Sequence, residues 1–237
     1  MSLSDQEVIR YSRHIILPEV GGRGQKKLKA ASVLLAGLGA AGSAAALYLA
    51  AAGIGRLALW DPGLVTLQDL EGGIAHDRSR VGLPRAASAA VPLTAIHPDA
   101  EVEVLDREID LIGNLPGHDV VLLSSGDWAV LSPAVSRAVY FGVHGAAGAV
   151  TVVLPGGPCL DCLGAERAGG LGLRPNQGAA VAAAAAVVGV VAATEAIKLI
   201  LGIGTPLTGR VLSYDGWTCR FTETEFGARE GCRTCRG

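Results

Sequence analysis

The sequence has few aromatic residues and no strong excess of charge of either sign. Aromatics make up 4% of the 237 residues, although 50% of the residues are hydrophobic, so small side chains such as Ala, Val and Leu must build the core. A chain of this length can bury a sizeable core as one large domain. The formal net charge of −2 gives no reason to expect nucleic acid or an anionic membrane as a partner.

The sequence also lacks an apolar run long enough to be predicted as a membrane span. The segment from Gly178 to Ala193 is almost wholly Ala, Val and Gly, but it stops at about 16 residues, short of the roughly 20 that a helix needs to cross a bilayer. We expect a buried helix there, with Glu195 and Lys198 near its exposed end. Because no secretory signal pattern is present at the N-terminus, we also expect a cytoplasmic protein.

Four of the five cysteines form two C-x-x-C pairs, and about 70 residues separate the pairs: Cys159 with Cys162, and Cys232 with Cys235. Four thiolates are the tetrahedral set that structural Zn²⁺ prefers, so the sequence predicts a zinc ion that ties the C-terminal tail to the middle of the chain. Two disulfides and four unpaired thiols are the alternatives, and disulfides need an oxidising compartment. Cys219 has no partner motif and is expected in a strand.

The hydrophobic pattern near the N-terminus predicts a β-α-β unit. Residues 1–30 are polar and helical, with a break at the glycines of 21–24. A short apolar run at 32–36 predicts a buried strand, 43–52 has high helix propensity, and 56–60 predicts the next strand. Such a unit is typical of a Rossmann-like α/β fold, in which helices cover both faces of a mostly parallel sheet.

The rest of the chain alternates between strand and helix patterns without internal repeats. We expect one domain over residues 1–237, in which 151–237 carries the cysteine pairs and a C-terminal hairpin. The predicted elements are an irregular loop at 63–81, a helix at 83–96, strands at 101–105, 120–124 and 150–154, a loose stretch at 169–178, and the hairpin strands at 211–214 and 219–224.

A glycine-rich turn joins the first predicted strand to the first predicted helix. Gly37, Gly39 and Gly42 form G-x-G-x-x-G, whose first two glycines allow a tight turn and close approach to a phosphate, and whose third lets helix and strand pack. The helix start offers N–H groups and a positive dipole end to an anion. Asp61 closes the following strand, where a carboxylate can bind ribose hydroxyls. This pattern predicts a nucleotide site without separating ATP from NAD, and glycines that serve only packing are the alternative.

Further motifs occur in order around these features: Arg10-Tyr-Ser-Arg13-His14, Gly24-Gln-Lys-Lys-Leu28, Val81-Gly-Leu-Pro84 and Gly209-Arg-Val-Leu-Ser-Tyr-Asp215. Together they resemble the ThiF/MoeB/HesA family of ubiquitin-activating-enzyme-like adenylyltransferases. The resemblance implies ATP and Mg²⁺ as cofactors, a structural zinc ion, and a small ubiquitin-like sulfur-carrier protein with a Gly-Gly tail as the partner whose C-terminal glycine is adenylated. It also implies a homodimer in which Arg13 or Arg10 reaches the ATP site of the other copy.

The chain departs from the family pattern at the positions that handle phosphate and metal. After the retained Asp61, the second family Asp is Gly63, the Asn position is Asp69, and the Arg position is Gly72. In the same stretch Gln68 replaces the family Ser. An arginine on a transferring phosphate is worth on the order of 10³–10⁵ in rate, so losing it is expected to slow catalysis. Asp69 adds a negative charge where the resemblance places phosphates.

Three further departures concern the same pocket. The family Lys before the next helix is Arg85, which keeps the charge but changes its shape. Gly126 takes the position of the Mg²⁺-linked Asp, and Asp127 one step further is the candidate replacement. Ala40 begins the doublet that is Gly-Gly in the family, and its methyl group is expected to crowd the phosphates.

The leading hypothesis is therefore an adenylyltransferase of this family with weakened or lost catalysis. A non-catalytic member that binds a nucleotide or a carrier, as a dimer partner or scaffold, is the alternative. An NAD-linked oxidoreductase is least supported, because no proton-relay Tyr/Lys pair stands out. The predicted catalytic residues are Arg13, Arg85 and Asp127, and the predicted cofactor-binding residues are Gly37, Gly39, Ala40, Gly42, Asp61, Gln68 and Asp69.

Overall fold

An eight-stranded sheet organises the computed structural model, which describes residues 2–105, 117–124, 137–171, 173, 180–232, 234 and 235. The order is β3-β2-β1-β4-β5-β6-β7-β8. The first five strands of this order run parallel, and β6, β7 and β8 join antiparallel. The strands are β1 Ser32–Ala36, β2 Arg56–Trp60, β3 Glu101–Val104, β4 Val120–Leu123, β5 Ala138–His144, β6 Ala147–Val153, β7 Arg210–Asp215 and β8 Arg220–Glu225. The predicted Rossmann-like α/β class is confirmed.

Helices cover both faces of the sheet. They are α1 Asp5–Arg10, α2 Ser12–Ile15, α3 Gly21–Ala30, α4 Ala40–Ala52, α5 Arg85–Ile96, α6 Leu160–Leu163, α7 Ala165–Gly170 and α8 Ala182–Leu201. Short 3₁₀ turns at Gln68–Glu71 and Arg78–Arg80 interrupt the predicted irregular loop.

Successive residues of β1 point into two different cores, as strand geometry requires. Val33 and Leu35 pack in the cluster under α4, α5 and α8, whereas Leu34 and Ala36 pack in the cluster that includes Cys159. All four strand residues are essentially inaccessible to solvent. Continuous burial of this kind is typical of a parallel strand with both faces covered, and it explains why the strand carries no polar alternation.

Helix α8 is long and apolar enough to cross a membrane by length and composition, the one such helix in the described ranges. It packs against α4 and the sheet, and 56% of its most apolar window is buried inside the protein. A Cβ at Gly189 would lie 2.1 Å from the Ala41 carbonyl oxygen, so only glycine permits this close helix contact. The prediction of a buried helix is confirmed, but the predicted length of about 16 residues is wrong, because the helix continues past Ala193 to Leu201.

Three local predictions are wrong. Glu195 is not near an exposed end but is buried, because its carboxylate accepts hydrogen bonds from the Leu207 amide at 2.9 Å and from Lys198. Gly21 begins α3 instead of breaking a helix. Cys219 lies in the turn of the β7–β8 hairpin with φ +51°, not in a strand, although the hairpin itself is as predicted.

Candidate functional site

The glycine loop forms the turn between β1 and α4. Gly37 has φ +97°, a left-handed value that favours glycine. A Cβ on Gly42 would lie 1.9 Å from the Gly37 carbonyl oxygen, so a side chain there would force the loop open. Gly39 is the N-cap of α4, and the first amides of that 13-residue helix lie beside the loop. This arrangement can accept an anion such as a phosphate.

Asp61 joins the end of β2 to the glycine loop. Its Oδ2 accepts a hydrogen bond from the Leu38 amide at 2.7 Å, and its Oδ1 accepts one from the Gly63 amide at 2.8 Å. The side chain is only 4% exposed. Asp61 therefore stands beside the loop, as its position in the sequence predicts, and it also holds the loop in place. Each carboxylate oxygen keeps a further lone pair that a ribose hydroxyl could use.

The sequence pattern did not indicate the residues that hold the carbonyl side of this loop. The Leu38 carbonyl oxygen accepts from Ser43 Oγ at 3.1 Å and lies 2.9 Å from His76 Nε2, while His76 Nδ1 lies 2.9 Å from Ser88 Oγ. If Nε2 carries the proton, it donates to Leu38 and Nδ1 accepts from Ser88. Burial lowers the pKa of His76, which favours the neutral ring.

Ser124, at the end of β4, donates from Oγ to the Gly37 carbonyl at 2.9 Å. Like His76, it lies far along the chain from the loop that it contacts. Such contacts depend on the tertiary fold, so neither spacing nor periodicity indicates them.

Arg85 begins α5 and lies between two carboxylates. Its Nη2 is 2.9 Å from Asp69 Oδ1, and its Nη1 is 3.5 Å from Asp61 Oδ1. Asp69 Oδ2 also accepts from the amide and hydroxyl of Thr66, at 2.7 and 2.8 Å. Burial alone would raise the pKa of Asp69, but the Thr66 hydrogen bonds and the Arg85 charge outweigh it and lower that pKa. The structure thus brings three of the predicted site residues together.

Residues that depart from the family pattern lie next to one another in pairs. A Cβ on Gly63 would lie 2.7 Å from Arg85 Nη1, so glycine leaves room for the guanidinium. A Cβ on Gly72 would lie 2.8 Å from the Ala40 methyl carbon and 3.3 Å from Ala182 Cα. The Ala40 methyl therefore faces the position where the family carries arginine.

The other predicted residues are more dispersed. Gln68 is exposed at the start of its 3₁₀ turn. Arg13 is exposed on α2 and makes no hydrogen bond or ion pair within the described part of the chain. Arg10 instead donates to the Ile96 carbonyl and lies over the Tyr11 ring. Asp127 falls outside the described residues.

The four paired cysteines converge in space. Their sulfur atoms all lie within 4.8 Å of one another, with Cys159 Sγ 3.8 Å from Cys162 Sγ and 3.6 Å from Cys232 Sγ, and Cys162 Sγ 3.4 Å from Cys235 Sγ. These separations are far longer than a disulfide bond of about 2.05 Å, so the two-disulfide alternative does not describe this structure. They match the sulfur–sulfur edge of about 3.8 Å that a tetrahedral site with 2.3 Å zinc–sulfur bonds requires. The cluster can hold a metal ion.

The surroundings of the cluster act differently on two of its thiols. Burial raises the pKa of the Cys159 thiol to about 12, whereas main-chain N–H groups of Cys235 and Thr234 lower that of Cys232 to about 6. The Arg229 amide also donates to Cys162 Sγ at 3.3 Å. Amide donors around sulfur are what a thiolate ligand needs.

A groove of about 640 Å³ opens on the antiparallel part of the sheet. Its lining includes His144, Ser213, Tyr214, Asp215, Arg220 and Thr222. His144 closes β5, which runs parallel to β4, so this wall lies at the carboxyl edge that also carries the glycine loop. The groove therefore opens at the edge of the sheet where the nucleotide site is expected.

Comparisons with known proteins agree with the residue pattern. The family model described as ThiF family matches residues 11–234. The molybdopterin-synthase adenylyltransferase of Escherichia coli (strain K12) is 36% identical over 98% of this chain and 98% of that protein. The SAMP-activating enzyme E1 of Haloferax volcanii is 34% identical over 99% of this chain and 91% of that protein.

Among solved structures, E. coli MccB with ATP has a TM-score of 0.80 at 19% identity, over 96% of this chain and 75% of that chain, which shows a shared fold. The family match covers the glycine loop, Asp61 and three of the four clustered cysteines, the features from which the site has been built. This chain is a member of the ThiF family.

Proposed function

We propose that the protein is an ATP-dependent adenylyltransferase that activates the C-terminal glycine of a small ubiquitin-like sulfur-carrier protein. The observation that carries this proposal is the joint placement of the glycine loop, Asp61 and Arg85 at one end of the parallel strands, in a chain whose relatives include a molybdopterin-synthase adenylyltransferase. Ligands of open α/β sheets bind at the carboxyl ends of the strands, which is where these residues lie.

In this proposal a carboxylate oxygen of the carrier attacks the α-phosphorus of ATP. The new P–O bond forms as the bond to the leaving pyrophosphate breaks, and the product is the carrier acyl-adenylate. The α4 amides would bind the phosphates, Asp61 the ribose hydroxyls, and Arg85 the charge that develops on the leaving group. A magnesium ion bound with ATP would neutralise further phosphate charge, and Asp127, its candidate ligand from the sequence, lies outside the described residues.

The groove beside the site suits the carrier's tail. Its lining includes the hydroxyl-bearing Ser213, Thr222 and Thr224 and the charged Asp215 and Arg220, so an extended Gly-Gly segment would find hydrogen-bond partners there. A tail without side chains suits this groove because its backbone can approach the wall closely. We propose that this groove leads the terminal carboxylate toward the glycine loop.

We further propose that turnover is slow. Gly72 supplies no cation where the family has arginine, and the Arg85 guanidinium is already paired with Asp69. A non-catalytic role as a nucleotide- or carrier-binding dimer partner is the second candidate, and the same two observations favour it.

Three further proposals concern metal, assembly and location. A zinc ion held by Cys159, Cys162, Cys232 and Cys235 would fix the C-terminal tail to α6 and add its binding energy directly to folding.

We propose a cytoplasmic homodimer, in which the exposed Arg13 would contact the ATP site of the second copy.

Exchange of pyrophosphate into ATP tests the central proposal. We expect exchange that requires both the protein and a carrier with a free Gly-Gly terminus, and none with a carrier that lacks its last glycine. Stabilisation by ATP without exchange would favour the non-catalytic role. Stabilisation by NAD but not by ATP would contradict the adenylyltransferase role and favour the NAD-linked alternative.

A further inference from the structure

We propose that Asp69 determines how the site discriminates among nucleotides by their number of phosphates. Its carboxylate already pairs with the Arg85 guanidinium, which the phosphates of a bound nucleotide would otherwise contact. This inference rests on the proposed binding of nucleotide phosphates at the glycine loop. Asp69 is then a specificity-determining residue that lowers the affinity for triphosphates more than for monophosphates.

The contact between Asp69 and Arg85 uses the most directional face of the guanidinium. Arg85 Nε and Nη2 lie 3.2 and 3.1 Å from Asp69 Oδ2, and Nη2 lies 2.9 Å from Oδ1. Paired contacts of this kind are the strong form of an arginine–carboxylate interaction. The remaining Nη1 faces Asp61 at 3.5 Å. Each nitrogen of the guanidinium therefore lies within 3.5 Å of a carboxylate oxygen, and a phosphate that binds the paired donors Nε and Nη2 must displace Asp69.

Asp69 is the fixed member of the pair. Its carboxylate accepts from the Thr66 amide and hydroxyl, and its main-chain oxygen accepts from the Gly73 amide at 2.7 Å. Arg85 reaches the pair through a long side chain that is 26% exposed. A phosphate would accordingly move the guanidinium and leave the carboxylate in place, still facing the anion.

Gly63 provides independent support. A Cβ at this position would lie 2.7 Å from Arg85 Nη1 and 3.0 Å from its Cζ, so glycine at 63 leaves the guanidinium its observed position, from which a side chain would shift it. Gly63 thus leaves space for the guanidinium of Arg85, and Asp69 supplies the carboxylate that pairs with it. The three residues form one arrangement.

The charges explain the dependence on phosphate number. Asp61, Asp69 and Arg85 together carry one net negative charge, which repels a nucleotide more as its own negative charge increases. Removing the Asp69 charge frees the Arg85 guanidinium and brings the summed charge of the three positions to zero. ATP should gain most from this change, ADP less, and AMP least.

The test is calorimetric titration of ATP, ADP and AMP into the full-length protein and Asp69→Asn, each with and without Mg²⁺. We expect Asp69→Asn to bind ATP roughly five- to tenfold more tightly, the size of effect expected for a partly buried ion pair, and AMP within about twofold. Asp77→Asn is the matched control, because Asp77 likewise pairs with an arginine and accepts from a nearby hydroxyl, that of Ser79, but lies outside the site, so ATP binding should not change.

Arg85→Lys tests the mechanism, since lysine cannot form the paired contact. In the Arg85→Lys background, Asp69→Asn should tighten ATP binding clearly less than in the wild-type background. Circular dichroism and thermal unfolding of each variant confirm that it is folded.

The outcomes separate the inference from the proposed function. Equal tightening for all three nucleotides, or no tightening, overturns the role of Asp69 and leaves the nucleotide site intact. Weaker ATP binding by Asp69→Asn only in the presence of Mg²⁺ also overturns it, because Asp69 would then be a metal ligand. Failure of every form to bind any of the nucleotides overturns the proposed function together with the inference.

Discussion

The main-chain N–H of Leu38 donates a 2.7 Å hydrogen bond to Oδ2 of Asp61, so the residue expected to bind ribose also fixes the loop expected to bind phosphate. The carbonyl of the same Leu38 is held from the other side by His76 and Ser43. Leu38, in the middle of the glycine loop, is therefore held both at its main-chain N–H and at its main-chain carbonyl. A loop fixed in this way keeps its N–H groups oriented before a ligand arrives, which lowers the entropy cost of binding.

Replacing Asp61 should damage stability as well as binding. Asp61→Ala leaves the amides of Leu38 and Gly63 without their buried acceptor, and we expect it to lower the free energy of unfolding by about 2–4 kcal/mol. Asp61→Asn keeps one acceptor oxygen and should cost roughly half as much. Urea denaturation measures both. If Asp61→Ala unfolds at the wild-type urea concentration, the carboxylate does not hold the loop.

His76 should make stability depend on pH. Burial lowers the pKa of His76 below its ordinary value of 6.5, and burial also lowers the pKa values of His97 and His118. The unfolded chain then takes up protons at a higher pH than the folded chain does. The stabilising effect is complete above pH 6.5, and it is lost as the pH falls from 6.5 toward the folded-state values.

His76→Gln tests this contribution, because the glutamine amide can still donate to Leu38 while it cannot titrate. We expect urea unfolding to show a smaller loss of stability between pH 7.5 and 5.5 in this variant, with the remaining loss due to the other two histidines. An unchanged pH dependence would show that His76 is not the buried neutral group described above.

The features that sequence alone predicted are those with a local signal. The glycine loop, Asp61 at a strand end and the two cysteine pairs each follow from spacing within a few residues. By contrast, His76 and Ser124 act through hydrogen bonds to residues that are distant in sequence, and no spacing encodes such contacts. Their roles appear only once the strands are assembled.

Other differences have their own physical causes. β5 is a strand that the sequence interpretation did not include, and its buried run from Ala138 to Val143 has no polar alternation. Glycines at the start of α3 suggested a break, but Gly24 packs closely against Val20 and Leu201, and this tertiary contact outweighs the weak helix propensity of glycine. Burial of Glu195 depends on its two hydrogen-bond donors, which lie outside the apolar run.

The cysteine cluster should bind one zinc ion per chain. Cys162→Ser or Cys232→Ser should remove most of the metal measured by mass spectrometry and lower the thermal midpoint, because structural zinc contributes folding energy. Cys219→Ser is the matched control, since Cys219 is exposed in the hairpin turn and lies outside the cluster. Full metal content in both cluster variants, or loss of metal in the control, would contradict the assignment of ligands.

Ala40 and Gly72 offer a test of whether the pocket can regain the family arginine. Gly72→Arg alone brings a side chain to within 2.8 Å of the Ala40 methyl carbon, and overpacking of this kind costs about 1–3 kcal/mol. The backbone is not the obstacle, because Gly72 has φ −134°. Gly72→Ala, which adds volume without charge, should show the same steric cost.

Adding Ala40→Gly should relieve the contact, so the double variant Ala40→Gly/Gly72→Arg should lose less stability than the sum of the single variants. If the chain adenylates a carrier, the restored cation should also raise the rate of pyrophosphate exchange at least about tenfold, a small part of the 10³–10⁵ that such an arginine provides elsewhere. The single Gly72→Ala variant should show no such increase. Additive stability losses would mean that the two positions do not compensate, and an unchanged exchange rate in a stable double variant would mean that the missing arginine is not what limits turnover.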